Sequence, residues 1–301
     1  MDNSISISTV NLVKSYGRVE ALHCVNLEVH SGEIFGFLGP NGAGKTTTIR
    51  CLLDLIRPNS GTVRVLGLDP QKNPVEVRAR TGYLPGELHV EDNATVESTL
   101  RYLNSLRGNK ADWDYILYLA GKLNLELKTH IKNLSKGNKQ KVGVIQALMH
   151  CPELLLLDEP TFGLDPLIQH EVLKLVAEAR AEGATVFFSS HILSEVQEIA
   201  DRVGIIRNGV VVEVAQTEKL INRALRRVRI RFKKPVDTKM LANIPGVSSL
   251  TQDDSQNVTM HVEGEMDALI KALGSYQVLN FETEHPSLEE VFLAYYKEES
   301  Q

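Results

Sequence analysis

The sequence predicts an α/β protein, a mostly parallel sheet buried on both faces by helices, followed by a small α+β appendage. Three observations predict it. Short, wholly apolar runs alternate with amphipathic stretches, as at 154–157, 167–180 and 184–189, the pattern of buried parallel strands and their crossover helices. The apolar run 33–38 ends in a glycine-rich loop and passes at once into the helical spacing of 45–56. Beyond Ala224 the texture changes to charges alternating with Val228, Ile230 and Phe232, with no second loop of that kind downstream.

Taken in order, the alternation at 5–10 and 21–29 predicts half-buried strands, and 33–38 a buried strand that delivers the loop. The helix after Gly44 has to stop at Pro58, where Asn59, Ser60 and Gly61 favour a turn. Residues 96–125 read as a charged helical insert whose tyrosines and Trp113 are spaced to pack. Runs 154–157 and 184–189 are two more buried strands, with a helix over 167–180 between them. The tail reads strand (227–232), helix (238–244), strand, strand (258–262), helix (266–273), strand (278–283). A final helix starts at Pro286 and Ser287, with Glu290 placed to complete a capping box. This βαββαβ order is ferredoxin-like. It divides the chain of 301 residues into a main domain, 1–223, and an accessory α+β domain, 224–301.

Composition narrows the function. Lys and Arg number 33 against 38 Asp and Glu, a formal charge of −5 without a basic run. No nucleic-acid partner is expected, because phosphate binding needs concentrated positive charge. No apolar run approaches the roughly 20 residues of a membrane span. Residues 1–12 lack the basic-then-apolar pattern of a signal peptide, so a cytoplasmic chain is expected. Cys24, Cys51 and Cys151 are odd in number, far apart and never C-x-x-C, which points to buried free thiols.

The chemistry starts at Gly39-Pro40-Asn41-Gly42-Ala43-Gly44-Lys45-Thr46, which fits G-x-x-x-x-G-K-[ST] at a strand-to-helix junction. Glycines let successive N–H groups turn inward around phosphate oxygens, and the helix adds its positive end. Lys45 neutralises the β/γ region and the Thr46 hydroxyl suits Mg²⁺, with Thr47 next to it in the same site. The second half is the strand 154–157 running into Asp158 and Glu159, at the strand end where open α/β sheets bind ligands. Asp158 is expected to hold Mg²⁺ and Glu159 to polarise the attacking water.

Between these sites lies Leu134-Ser135-Lys136-Gly137-Asn138-Lys139-Gln140, directly before a helical stretch. Here the chain resembles the ATP-binding-cassette (ABC) ATPases, whose signature is usually L-S-G-G-Q; Ser135 and Gly137 match it, Lys136 and Asn138 do not. The resemblance covers about residues 5–223. It implies a phosphate-loop core with an N-terminal antiparallel sheet and a helical subdomain, and a dimer sandwiching two ATP. In that arrangement Ser135 and Gly137 close over the nucleotide held by the second subunit, here expected as a homodimer. Tyr16 matches the aromatic that stacks on adenine, Asp165 in Gly163-Leu164-Asp165-Pro166 the loop touching the partner, and His191 the switch histidine at the γ-phosphate. Gly82-Tyr83-Leu84-Pro85 resembles a loop that continues with glutamine; Gly86 stands there, with Glu87 next as a substitute.

The resemblance implies an ATPase with Mg-ATP, working with integral membrane permease subunits and peripheral on the inner face of the cell membrane. The L-S-K-G-x-x-Q-K signature and an ending like Pro286-Ser287-Leu288-Glu289-Glu290-Val291-Phe292 look like exporter subunits. Two other classes compete: a soluble ABC ATPase acting on DNA or ribosomes, and an ATP-binding regulatory module without turnover. Asn109-Lys110-Ala111-Asp112 and Asp201-Arg202-Val203-Gly204 spell the N-K-x-D and D-x-x-G of GTPases, in the wrong order.

Overall fold

The computed structural model describes residues 4–88, 91–223, 226–252, 254–262 and 266–284. β1 (Ile5–Tyr16) and β2 (Val19–His30) pair antiparallel. β1 outruns the alternating stretch 5–10 because its register shifts between Thr9 and Leu12, with Asn11 at φ 49°. Such a bulge lets a strand change face and continue. β3 (Ile34–Leu38) is buried throughout and leads through the glycine loop into α1 (Lys45–Leu52). α1 ends before the expected Ile56. Asp54 is left-handed at φ 51°, and the amides of Leu55 and Ile56 both turn back to the carbonyl of Arg50 at 3.0 and 3.4 Å.

β4 (Ser60–Val65) pairs with the other edge of β1, giving an antiparallel sheet ordered β2-β1-β4. α2 (Pro74–Ala79) precedes β5 (Thr81–Leu84). The helical insert is two helices, α3 (Val96–Leu106) and α4 (Trp113–Lys122). Each starts on a side-chain cap, Thr95 accepting from the amide of Ser98 and Asp112 from that of Asp114. Gly108 and Asn109, at φ 75° and 57°, separate them, so the N-K-x-D look-alike begins in a turn between helices.

Then follow α5 (Lys136–Leu148), β6 (Leu154–Asp158), α6 (Pro166–Ala181), β7 (Thr185–Ser190), α7 (Leu193–Ile199), β8 (Arg202–Arg207) and β9 (Val210–Gln216). The main sheet is ordered β5-β6-β7-β3-β8-β9, parallel from β5 to β8. Every residue of β3, β6 and β7 is buried, as apolar runs flanked by helices require. Phe35 and Phe187 stack at 5.7 Å between ring centroids, in a core that also takes Leu22, Val25 and Leu27 from the antiparallel sheet and Ile49 and Leu52 from α1. Each such buried side chain contributes about 1.5–3 kcal/mol, so α1 is held firmly at the loop exit. Asp201 accepts from the amide of Ile34 at 2.9 Å, at the end of β3 opposite the loop, which removes the D-x-x-G look-alike from the phosphate site.

The first compact unit ends at Ala215 and the second starts at Gln216. The division thus falls at one end of α8 (Thr217–Arg223) and the composition change at the other. The second unit continues with β10 (Arg226–Phe232), α9 (Thr238–Ala242), β11 (Val247–Gln252), β12 (Asn257–Val262), α10 (Asp267–Leu273) and β13 (Val278–Glu284). Its antiparallel sheet is ordered β11-β12-β10-β13, two interleaved βαβ units as in a ferredoxin-like domain. Val228, Ile230 and Phe232 pack with Val258, Met260 and Val262 against Leu241, Leu269 and Leu273 of the helices. The helix expected from Pro286 onward lies outside the described residues. Among the described residues no helix is long and apolar enough to cross a membrane.

Candidate active site

The glycine loop leaves the middle of the main sheet and ends at Gly44, which stands at φ 113° before the first turn of α1. A side chain there is strained, and its Cβ would meet Leu22 Cδ2 at 2.7 Å and the Ala21 carbonyl at 2.9 Å. The free N–H groups of that first turn make a ready anion site. Lys45 is only 5% exposed, and a buried ammonium needs partners. Its Nζ donates to the carbonyls of Gly39 at 2.6 Å and Pro40 at 3.3 Å and pairs with Glu159 Oε1 at 3.1 Å.

A cleft of about 270 Å³ opens over this loop. Pro40, Asn41, Gly42, Gly44, Lys45, Thr46 and Thr47 form one wall, and Asp158, Glu159 and His191 face them; Ala21, Gly86 and Phe162 complete the lining. Gly39 and Ala43 shape the loop from behind: a Cβ on Gly39 would lie 2.4 Å from the Ile206 carbonyl, and Ala43 is buried.

Asp158 ends β6 and is 1% exposed. Its Oδ1 accepts from Ser189 Oγ at 2.6 Å, while its buried Oδ2 has no hydrogen-bond partner and would stand 3.2 Å from a Cβ on Gly86. A buried carboxylate oxygen without a partner and a threonine hydroxyl lining the same cleft make a hard-oxygen set. It fits Mg²⁺, which prefers one or two protein oxygens and takes the rest from phosphate and water.

Glu159 stands at φ 53°, a left-handed conformation costing about 1–2 kcal/mol for a side chain that is not glycine. Both sides of its backbone are pinned. Its amide donates to Ser189 O at 3.2 Å and Ser189 Oγ at 3.1 Å, and its carbonyl accepts from Gln140 Nε2 at 3.0 Å. The twist turns its carboxylate into the cleft, one oxygen on Lys45 and the other hydrogen-bonded to His191 Nδ1. Behind it, Thr161 and Ser190 both donate to the buried carboxylate of Glu195. Burial pushes the Glu195 carboxyl above its ordinary range, and the two hydroxyls pull it partly back.

The structure therefore brings together the glycine loop, Lys45, Thr46, Thr47, Asp158, Glu159 and His191. Four other expected site residues stand outside this cleft. Tyr16 is 47% exposed at the end of β1 with Lys14 Nζ 5.3 Å from its ring centroid. Ser135 caps α5, its Oγ accepting from the amide of Asn138 at 3.2 Å, and is itself exposed. Gly137 packs so closely on the next loop that a Cβ would lie 2.7 Å from the Gly163 carbonyl. Asp165 caps α6 by accepting from the amide of Ile168 at 3.1 Å. Glu87 is exposed and does not line the cleft, whereas Gly86 does. Ser189, Gln140, Phe162 and Glu195 were not foreseen as site residues. Their signals were slight: two serines closing an apolar run, and a glutamine at the end of the signature segment that the structure buries in α5.

A parallel sheet with a phosphate loop after β3 and paired carboxylates one strand beyond its neighbour defines a phosphate-loop nucleoside triphosphatase. Residues 22–162 match the family model described as ABC transporter, and residues 219–296 the one described as ATP-binding protein DrrA1-3-like, C-terminal domain. The bacitracin transport ATP-binding protein BcrA of Bacillus licheniformis is 42% identical over 213 residues, 70% of this chain and 69% of that protein. A solved ATP binding subunit of an ABC transporter superposes with a TM-score of 0.66 at 30% identity, over 71% of this chain and 91% of that one. A dimeric ATP-binding cassette in a post-hydrolysis state with ADP and Pi shares the fold, with a TM-score of 0.63 at 22% identity over 70% and 98% of the two chains. The chain belongs to the ABC transporter family; it is an ATP-binding subunit and an ATPase.

Proposed function

We propose that two copies of this chain sandwich two ATP molecules and that their closure drives export through separate membrane subunits, from the inner face of the cell membrane. The observation that carries the reading is the Glu159 carboxylate, held in the cleft between Lys45 and His191. All three groups converge where a γ-phosphate belongs. When phosphate oxygens take over Lys45, Glu159 is released from that ion pair and becomes free to accept a proton from the attacking water. His191 keeps Glu159 oriented and supports the γ-phosphate. Thr46 and Asp158 would hold Mg²⁺, which would supply positive charge against the phosphate groups.

Ser135 supports the dimer. It is an exposed hydroxyl at a helix N-terminus, a second anion site that does not face its own chain's cleft. A second subunit is what would place it on a nucleotide, and Gly137 and Asp165 are assigned to the partner side with it on the resemblance of their motifs. Tyr16 is assigned to adenine on the resemblance of its motif. For cargo, the bacitracin transport relative favours bacitracin or a similar antibiotic.

The test is mass spectrometry of what co-purifies with tagged Glu159→Gln chain from detergent-solubilised membranes with ATP present. A polytopic membrane protein in about equal amount supports the reading, since a symmetric motor pairs with its permease in fixed ratio. Recovery only with ribosomes or DNA-binding proteins contradicts it.

A further inference from the structure

Lys136 is a departure from the family's signature that the hydrolytic site does not use. Its place is electrostatically poor: it is the first residue of α5, where the helix's positive end disfavours a cation. Its ammonium lies instead 4.3 Å from the ring centroid of Phe162, a cation–π contact. Phe162 is 42% exposed and lines the cleft, and its ring meets the His191 imidazole edge-on with centroids 6.4 Å apart. His191 is hydrogen-bonded to Glu159. Lys136, Phe162, His191 and Glu159 therefore form one continuous chain of contacts from the signature turn to the reacting end of the cleft.

Two further contacts hold the same segments together, Gly137 on Gly163 and Gln140 on the carbonyls of Glu159 and Pro160. Both act on the backbone behind the site. Of these three contacts, the Lys136 one passes through a side chain that lies in the cleft, and a glycine at 136 has nothing to make it with.

Resting on the reading that Ser135 serves the partner's nucleotide, we infer that the Lys136–Phe162 contact couples the two ATP sites of the dimer. When the signature turn of one chain engages the partner's ATP, Lys136 shifts with it and carries Phe162, and Phe162 sets how His191 and Glu159 meet the chain's own ATP. Lys136 is thus a positioning residue. Coupling of this kind is reciprocal, so each site senses the other's occupancy.

ATP hydrolysis by the full-length chain is measured against ATP concentration for the wild type, Lys136→Gly, Lys136→Arg, Phe162→Leu and the Lys136→Gly/Phe162→Leu double variant. The wild type is expected to be sigmoidal, with a Hill coefficient approaching about 2, the ceiling set by two sites. Lys136→Gly and Phe162→Leu each lower it, the double variant lowers it no further, and Lys136→Arg retains the wild-type sigmoidicity because a guanidinium also stacks on aromatic faces. A hyperbolic wild type, an unchanged Lys136→Gly, or losses that add in the double variant overturn the coupling. A wild type that fails to hydrolyse ATP, with Glu159→Gln chains that fail to dimerise on ATP, overturns the functional reading itself. A wild type that turns over as a dimer and is indistinguishable from Lys136→Gly overturns the coupling alone.

Discussion

Gln140 donates through its side-chain amide to the main-chain carbonyl of Glu159 at 3.0 Å, and to that of Pro160 at 3.2 Å. The helix that begins at the signature is thereby tied to the backbone of the residue proposed to orient water. Gln140→Leu removes the donor while preserving apolar bulk; the Glu159 carbonyl keeps the Phe162 amide at 3.1 Å, but the Pro160 carbonyl loses the side-chain donor, at about 1–3 kcal/mol. The expected result is a melting temperature lower by several degrees and turnover reduced about tenfold, since small misplacements of a reacting group are costly. Turnover at the wild-type rate in a destabilised variant would show that the tie serves folding only.

Ser189 is the second support of the site. Its hydroxyl donates to Asp158 Oδ1 at 2.6 Å and accepts from the Glu159 amide at 3.1 Å. A hydrogen bond to a charged group contributes about 1.5–3 kcal/mol, so Ser189→Ala is expected to raise the Mg²⁺ needed for half-maximal hydrolysis roughly tenfold. Titration of activity with Mg²⁺ at saturating ATP reads this out. An unshifted Mg²⁺ requirement removes Asp158, as oriented by Ser189, from the metal site.

Glu195 gives a pH signature. Its carboxyl is raised above the ordinary 4.5, chiefly by burial. Between the unfolded value and that raised value the folded chain binds more protons than the unfolded one. Stability from this group therefore falls as pH rises through the window, and the burial cost is present in full above it. Glu195→Gln lacks that slope. The melting temperature of the wild type relative to the variant should rise as pH is lowered from neutral toward the ordinary 4.5. A flat difference, or one of opposite sign, rejects the assignment.

Local chemistry was readable in the sequence. The glycine loop, Lys45, Thr46 and Asp158 sit where a strand meets a helix or ends, and spacing alone places them. What depended on tertiary approach was not readable. Glu159 looks like an ordinary strand-end carboxylate until its left-handed backbone and its pins from Gln140 and Ser189 are seen. Glu195 lies 36 residues beyond it in number and reaches the site only because β7 lies beside β6. Element ends failed where one residue takes an unusual φ, as at Asn11 in β1 and Asp54 after α1. The alternation of the tail revealed its strands, but their order β11-β12-β10-β13 is a property of pairing that periodicity does not carry.

The central claim is that each ATP site is shared between two chains, and complementation tests it most directly. Lys45→Ala disables the loop side of a site and Ser135→Glu sets a carboxylate against phosphate on the signature side; each alone should be inactive. A heterodimer of the two carries one site with both lesions and one with neither. Mixing equal amounts should therefore restore hydrolysis, up to about a quarter of the wild-type rate, because half the dimers of a two-fold assembly then hold one intact site. A Ser135→Glu chain that hydrolyses ATP by itself at the wild-type rate would contradict the shared-site account.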